Sequence, residues 1–169
     1  MQKVNSLQSI WRRNTAFFLT ALLVVSADQL TKLWIRSNLA VGESLPETGF
    51  FRLTYIHNTG GVFGLFQDQS LLLTIFAIIG VAVLLVIALF MNQRLPFWDN
   101  KTGKLSLGLV FSGTVGNLID RLSSGYVTDF IDISIWPAFN IADSAVVIGA
   151  ILLAYLLLAS VKSRKRSDG

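Results

Sequence analysis

The sequence predicts an α-helical membrane protein with four transmembrane helices and a small sheet on the outer membrane surface. Of its 169 residues, 53% are hydrophobic and only 14% are charged, whereas soluble domains carry about 25% charged residues. Several apolar runs approach the roughly 20 residues that an α-helix needs to cross a bilayer. Between the first two runs lies a segment with strand periodicity. We therefore expect residues 1–169 to form one membrane-integral domain.

Four apolar runs give the predicted spans, at about residues 15–35, 71–91, 105–122 and 141–161. The run at 71–91 contains no charged residue, which makes it the clearest of the four. The run at 105–122 is rich in small residues, which allow helices to approach closely in lipid. These small residues are Gly108, Ser112, Gly113 and Gly116.

The first run has an alternative interpretation as a cleaved signal peptide. Arg12 and Arg13 would supply the basic region, and the small residues of 25–27 would supply the cleavage site. The apolar periodicity continues beyond that point to Trp34, which favours an uncleaved helix.

Residues 36–69 are predicted to contain the outward sheet. Apolar and polar residues alternate from Phe50 to His57, with the period of two that is typical of a strand. Asn58 begins a turn signal, and Val62–Phe66 fits either a returning strand or an interfacial loop. A second strand-like run covers Tyr126–Ile135.

The distribution of basic residues predicts the orientation. Ten of the 14 Lys and Arg residues lie in the N-terminal segment, the 92–104 loop and the C-terminal tail. The positive-inside rule then places both termini in the cytoplasm. The sheet and the loop at 123–139 would face outward on the same side, so that they could share a site.

Composition excludes several kinds of chemistry. The chain has no cysteine, so a disulfide framework, a zinc-thiolate site and a cysteine nucleophile are ruled out. One histidine, His57, is weak support for a metal site or a Ser-His-Asp triad, and we expect it to be a strand or surface residue. The net charge of +4 reflects topology and does not indicate nucleic-acid binding.

Four aspartates fall within residues 112–147, namely Asp120, Asp129, Asp132 and Asp143. Ionisable residues at membrane depth are costly and commonly functional. Two carboxylates in contact share one proton, so that one member can activate water and the other can protonate a leaving amine. We expect Asp129 and Asp143 to meet at the outer membrane surface and to hydrolyse a peptide bond.

Plainer interpretations of these acids stay open at this point. Asp143 would suit the first turn of a helix capped by Asn140. Asp129 could be a solvated loop residue, and Asp132 has an equal claim to the chemistry. Spacing alone does not choose between them.

Other polar residues also have two interpretations. Asp120 and Arg121 could form an interfacial charge pair, or they could support a site together with Asn117. Asp28 and Lys32 have the i, i+4 spacing of a helical ion pair, with Lys32 snorkelling, or they could touch the substrate. Asn58 is explained most simply as a turn residue. Aromatic residues near the outer boundary fit an interfacial belt, namely Trp34, Phe50, Phe51, Phe63, Phe66 and Trp136.

Four motifs resemble those of the lipoprotein signal peptidase (signal peptidase II) family, the aspartic peptidases of bacterial inner membranes. They occur in the family's order and cover essentially the whole chain. They are DQLTK (28–32), NTGGVFG (58–64), SGTVGNLIDR (112–121) followed by VTDF (127–130), and FNIADS (139–144). Two departures are mild, because Ser112 stands where the family often has Gly, and Gly61-Val62 where it often has Ala-Ala.

The resemblance implies roles that the spacing leaves open. Asp129 and Asp143 correspond to the family's catalytic pair, which excludes Asp132 and Asp120 from that pair. Residues that line the site or contact substrate correspond to Asn58, Gly60, Asn117, Arg121 and Asn140, and supporting residues to Asp28, Lys32 and Asp120. The family's fold has four transmembrane helices, an outward β-cradle and a periplasmic-side lid.

The resemblance also implies a substrate and a location. The substrate is a prolipoprotein whose cysteine carries diacylglycerol, and the cut falls just before that cysteine. We expect a multi-pass inner-membrane enzyme with a periplasm-facing site, sensitivity to globomycin-type inhibitors, contact with membrane lipid and a monomeric state. No cofactor, metal or nucleic acid is expected.

Three rival classes make different predictions. A small transporter or channel would place its carboxylates on helices at mid-bilayer depth. A serine–lysine peptidase would pair Ser26 or Ser37 with Lys32. A structural subunit of a membrane complex would tolerate loss of both Asp129 and Asp143.

Overall fold

A computed structural model of the chain describes residues 14–60, 69–91 and 100–167. Within these residues there are four helices and one sheet. The helices are α1 (Thr15–Asn38), α2 (Ser70–Val86), α3 (Lys101–Ser124) and α4 (Ile141–Ser167), and α2 continues into a π-helical turn at Ile87–Met91. The predicted strand or loop at Val62–Phe66, the N-terminal basic residues and most of the 92–104 loop lie outside the described residues.

Three of these helices are long and apolar enough to cross a membrane. The candidate spans are Thr15–Asn38, Ser70–Phe90 and Ile141–Lys162. The first continues to Asn38, past the predicted end near residue 35, and it runs unbroken through residues 25–27. The predicted span at 105–122 lies within α3, which is helical but too polar to be counted with the other three. Its passage through the membrane remains a prediction.

Helix α3 lies at the centre and packs against α1, α2 and α4. Its polar residues are tolerated because many of them face neighbouring helices, as shown by the burial of Ser106, Ser112, Asn117 and Asp120. Glycines provide the close approach that the sequence predicts. A Cβ atom on Gly113 would overlap the carbonyl oxygen of Ala142 in α4, so only glycine fits there without a shift of the backbone.

The sheet is antiparallel and has the strand order β1–β2–β3, where β1 is Ser44–Leu45, β2 is Arg52–Asn58 and β3 is Val127–Asp132. Both longer strands fall where the sequence predicts strands. The register is irregular between Leu53 and Ile56. The predicted alternation fails there, because Thr54 and Tyr55 are both buried. Beyond the irregularity, Ile56 pairs with Asp129.

A small hydrophobic cluster joins the sheet to the end of α1. Ile35 and Leu39 of the helix end are buried with Tyr55 of β2 and Phe130 of β3. Burying large apolar side chains stabilises by about 1.5–3 kcal/mol each. This cluster therefore fixes β3, and the aspartate it carries, relative to the helices.

Candidate active site

Asp129 lies in the middle of β3 and is only 2% exposed. The side-chain amide of Asn58, at the end of β2, donates to its Oδ2 at 2.7 Å. The side-chain amide of Asn140 donates to its Oδ1 at 2.7 Å. Asn58 also closes a local turn, because its Oδ1 accepts from the backbone N–H of Gly60 at 2.9 Å. The turn interpretation of Asn58 and its role at Asp129 therefore hold together.

Asp143 lies in the first turn of α4, as the sequence predicts. Its Oδ1 accepts from the side-chain amide of Asn117 at 2.7 Å. Its backbone N–H donates to Asn140 Oδ1 at 2.8 Å, and its Oδ2 accepts from the Asn140 backbone N–H at 3.3 Å. This reciprocal pair is a capping box, which stabilises the start of the helix.

Asn140 connects the two carboxylates. Its Oδ1 accepts from the backbone of Asp143, and its Nδ2 donates to Asp129 Oδ1 and, at 3.1 Å, to Asn117 Oδ1. It is fully buried. One residue that caps α4 thus also holds the aspartate of β3, which brings the two acidic groups to one place.

Both carboxylates line a cavity of about 530 Å³. Polar lining comes from Asn58, Asn117 and Arg121, and an apolar wall comes from residues of α2 and α4, namely Leu73, Ala77, Val146 and Val147. A second cavity of about 290 Å³ adjoins it, and Asp129, Asn58 and Gly60 are among its lining residues. Asp129 therefore lies between an apolar cleft and a smaller space beside the sheet.

The surroundings of Asp129 favour its protonated form. Burial, reinforced by the negative charge of Asp143, raises the pKa of Asp129 to about 7, against the opposing effect of hydrogen bonds from Asn58 and Asn140. At neutral pH this carboxyl group can therefore hold or release a proton, as acid–base chemistry requires.

Asp132 is held in a different place. Its Oδ1 accepts from the Ser134 backbone N–H at 2.9 Å, and its Oδ2 is bound by Thr54 and Arg52. The Ser134 hydrogen bond, with help from Thr54 and Arg52, holds the pKa of Asp132 below its ordinary value. Asp132 is thus an ionised residue that joins β2 to the turn after β3.

A buried ionic network supports the site from α1. Lys32 Nζ lies 2.8 Å from Asp28 Oδ2, 3.1 Å from Asp120 Oδ2 and 3.0 Å from Asn117 Oδ1. The predicted i, i+4 pair of Asp28 and Lys32 is therefore present. The predicted snorkelling of Lys32 is wrong, because its side chain is fully buried.

Asp120 joins this network to β3. Its Oδ2 accepts from the backbone N–H of Thr128 at 2.9 Å, and its Oδ1 forms an ion pair of 2.7 Å with Arg36. Arg36 also donates to Thr128 Oγ1 at 2.8 Å. Arg121 follows Asp120 in the chain. It lines the cavity and donates to the carbonyl oxygen of Gly60 at 3.3 Å.

Three supporting residues were not predicted to belong to the site, namely Gln29, Arg36 and Thr128. Arg36 could have been found, because Asp28, Lys32 and Arg36 follow one another at intervals of four on an otherwise apolar helix. Gln29 donates to the Gly116 carbonyl oxygen at 3.1 Å, a contact between distant segments that carries no sequence signal.

His57 lies on β2 with an exposed side chain, as the sequence predicts. Its ring stacks on that of Tyr126, with centroids 3.7 Å apart, and its Nε2 is 2.9 Å from the hydroxyl of Tyr55. Although the residue is exposed overall, partial desolvation of the ring, together with the positive charge of Arg36, lowers the pKa of His57. The ring thus contacts Tyr55 of β2 and Tyr126, the residue before β3.

The fold and the site define a class of helical membrane protein that brings two carboxyl groups, the buried Asp129 and the partly buried Asp143, to one cavity. Comparison with known proteins narrows the class. The family model described as signal peptidase (SPase) II matches residues 20–159. Two curated relatives are both named lipoprotein signal peptidase. One, from Dehalococcoides mccartyi, is 45% identical over 88% of this chain and 92% of its own length. The other, from Moorella thermoacetica, is 48% identical over 84% of this chain and 92% of its own length.

Two solved structures share the fold. Both are described as bacterial membrane enzyme structures obtained by the in meso method, at 2.3 Å and 1.9 Å resolution. The first has a TM-score of 0.78 at 33% identity and covers 87% of this chain and 90% of its own. The second has a TM-score of 0.72 at 34% identity and covers 84% and 92%. The chain belongs to the signal peptidase II family, and it is a bacterial membrane peptidase.

Proposed function

We propose that the protein is an aspartic endopeptidase that removes the signal peptide from diacylglyceryl-modified prolipoproteins by cutting before the lipidated cysteine. The observation that carries this proposal is the linkage of Asp129 and Asp143 through Asn140 at one cavity. The names of the curated relatives support the class of substrate.

In the proposed mechanism the two carboxyl groups hold one proton between them. The ionised group takes a proton from a water molecule as that water attacks the scissile carbonyl. The protonated group then donates its proton to the leaving amine as the carbon–nitrogen bond breaks. The pKa of Asp129, about 7, suits a group that must exchange a proton near neutral pH.

Asparagine side chains hold the carboxylates ready for this sequence. Asn58 and Asn140 bind opposite oxygens of Asp129, while Asn117 binds Asp143. Fixed donors of this kind keep the reacting oxygens within the small tolerances that catalysis requires. Arg121 lines the same cavity and lies close enough to Asp143 and Asp129 to interact with their charges. We assign to it the orientation of substrate carbonyl groups.

The shape of the cavity suits a lipidated substrate. Its wall combines Leu73 and Ala77 of α2 with Val146 and Val147 of α4, all within segments that are apolar enough to lie in the membrane. Apolar signal-peptide residues or acyl chains could contact this wall while the scissile bond reaches Asp129 and Asp143. Binding at such a site would be driven largely by burial of apolar surface.

The proposed orientation follows from charge. The tail of α4 carries basic residues, which favours a cytoplasmic C-terminus. With four spans, the sheet, Asp129 and the head of α4 then face the periplasm. The enzyme is proposed to act there as a monomer, without a cofactor, in contact with membrane lipid.

The proposed substrate class can be tested with two forms of one prolipoprotein. The purified protein is expected to cleave the diacylglyceryl-modified form and to leave the unmodified form intact, because the lipid supplies apolar contact with the cleft. Gel mobility and mass spectrometry of the products locate the cut. A globomycin-type inhibitor is expected to block cleavage. Equal cleavage of both forms would contradict the role of the lipid, and no cleavage of either would contradict the proposed function.

A further inference from the structure

Lys32 has donors but no acceptors, and this fixes the orientation of a neighbouring amide. Its ammonium group is fully buried and lies 3.0 Å from Asn117 Oδ1. Asn140 Nδ2 approaches the same oxygen at 3.1 Å. With two donors on that side, Asn117 must present its oxygen to them.

The other end of the amide therefore faces Asp143. Asn117 Nδ2 donates to Asp143 Oδ1 at 2.7 Å. If the amide rotated by half a turn, its NH₂ group would face the ammonium of Lys32 and its oxygen would face the carboxylate. Both contacts would be repulsive in a buried site, where such interactions are little screened. The charge of Lys32 thus acts on the Asp143 carboxylate through one intervening side chain.

Asp28 reaches the same aspartate by a second route. Its Oδ1 accepts from the backbone N–H of Ala142, the residue before Asp143, at 2.9 Å. This bond satisfies one of the free N–H groups at the start of α4 with a carboxylate from α1. Gly116 leaves the room for it, because a Cβ atom there would lie 2.6 Å from Asp28 Oδ2.

We propose that Asp28 and Lys32 are positioning residues for the Asp143 carboxylate, with Asp28 fixing the backbone at Ala142 and Lys32 fixing the amide of Asn117. This inference rests on the proposed function, because positioning the Asp143 carboxylate matters for activity only if Asp143 is catalytic. The two residues lie one helical turn apart on α1. Asp28 acts on the start of α4 directly through Ala142, and Lys32 acts on it through Asn117 of α3. Their effect should therefore appear in the chemical step more than in substrate binding.

A charge-balanced variant separates positioning from folding. Lys32→Met alone would leave the carboxylates of Asp28 and Asp120 buried beside a lost cation, which is strongly destabilising. Asp28→Asn combined with Lys32→Met removes one charge of each sign. The neutral amide oxygen that replaces the Asp28 carboxylate binds the Ala142 backbone N–H less strongly, so the double variant weakens both routes. Asp120 keeps its ion pair with Arg36.

The double variant is expected to lower kcat for prolipoprotein cleavage by at least about tenfold while KM stays within about twofold, as small misplacements of reacting groups do. Adding Asn117→Ala to the double variant should lower kcat by less than about a further threefold. In the otherwise wild-type protein, Asn117→Ala is expected to lower kcat by at least about tenfold. Such non-additivity is the sign of groups that act through one another. Thermal unfolding in detergent checks that each variant is folded.

Lys104→Met is the matched control, because Lys104 is another buried lysine but lies in the first turn of α3, about 20 Å along that helix from Asn117. It is expected to leave kcat unchanged. A double variant with wild-type kcat would overturn the inference while leaving the proposed function intact. So would fully additive losses with Asn117→Ala, or a loss of kcat no greater than that of the control. An inactive wild-type protein would remove both proposals.

Discussion

At the scale of single residues, Asp129 and Asp132 show how surroundings give one residue type two roles. Asp129 is buried beside a second carboxylate and receives only amide donors, whereas Asp132 is bound by Arg52. Desolvation and like charge favour a neutral acid, and a cation favours a carboxylate. Of the two residues, Asp129 is therefore the one whose carboxyl group can exchange a proton near neutral pH.

The raised pKa of Asp129 predicts how activity depends on pH. Below about 7 the proposed pair keeps the proton that the leaving amine needs, and above it the pair loses that proton. We expect kcat/KM for prolipoprotein cleavage to fall as pH rises through about 7, measured in buffers of constant ionic strength.

Asp132→Asn is the control for this profile, because Asp132 lies outside the proposed pair. It should leave the position of the alkaline limb unchanged. A wild-type rate that keeps rising from neutral into clearly alkaline pH would contradict the shared proton.

Contacts between distant segments decide which of Asp129 and Asp132 meets Asp143. The residues Asp129 and Asp132 are three apart, so strand alternation already directs them to opposite faces, but it does not say which face meets Asp143. The motif resemblance selects Asp129, and its role in a catalytic pair with Asp143 remains a prediction. Neither spacing nor motif revealed that Asn140 touches Asp129, because that contact exists only when the head of α4 has packed beside β3.

At the scale of elements, the site depends on how closely α3 approaches the head of α4. Gly113 and Gly116 of α3 both face Ala142, which precedes Asp143. The small-residue pattern predicted close packing of this helix from the sequence. Polar residues, however, make α3 less apolar than a typical span. They are tolerated because Lys104, Asn117 and Asp120 are buried within the protein. Burial of this kind is a property of the assembled helices and cannot be seen in one segment.

Gly113→Ala is expected to destabilise the protein by about 1–3 kcal/mol, as overpacking does. The new methyl group would overlap the Ala142 carbonyl oxygen, so α4 must move and carry Asp143 with it. Cleavage activity should fall together with the unfolding temperature measured in detergent.

Gly80→Ala provides the comparison, because a Cβ atom on Gly80 of α2 has no neighbour within 4 Å. Alanine also favours a helix over glycine. This variant should keep full activity and equal or higher stability. Equal behaviour of the two alanine variants would argue against a tight contact at Gly113.

At the scale of the whole molecule, three apolar helices, one polar central helix and a small sheet place the two carboxyl groups at one end of the helices. Asp143 lies in the first turn of α4, and Asp129 lies on the strand that follows α3. Apolar runs along the sequence predicted the helices, and alternation predicted the longer strands. Orientation in the membrane depends on charge and remains a prediction.

Orientation can be tested by labelling single cysteines, since the chain has none of its own. Glu47 is exposed in the segment between β1 and β2, and Lys162 is exposed near the end of α4. A membrane-impermeant maleimide should label Glu47→Cys in intact cells and should label Lys162→Cys only after permeabilisation. The reverse pattern would place the site on the cytoplasmic side.

The central claim is that Asp129 and Asp143 together hydrolyse the peptide bond. The most direct measurement is the single-turnover rate at which purified wild-type, Asp129→Asn and Asp143→Asn proteins cleave one diacylglyceryl-modified prolipoprotein, with substrate binding measured in parallel. We predict that both variants bind the substrate and cleave it at least about a thousandfold more slowly, because removal of a catalytic group commonly costs that much or more. Cleavage at the wild-type rate by either folded variant would contradict the claim.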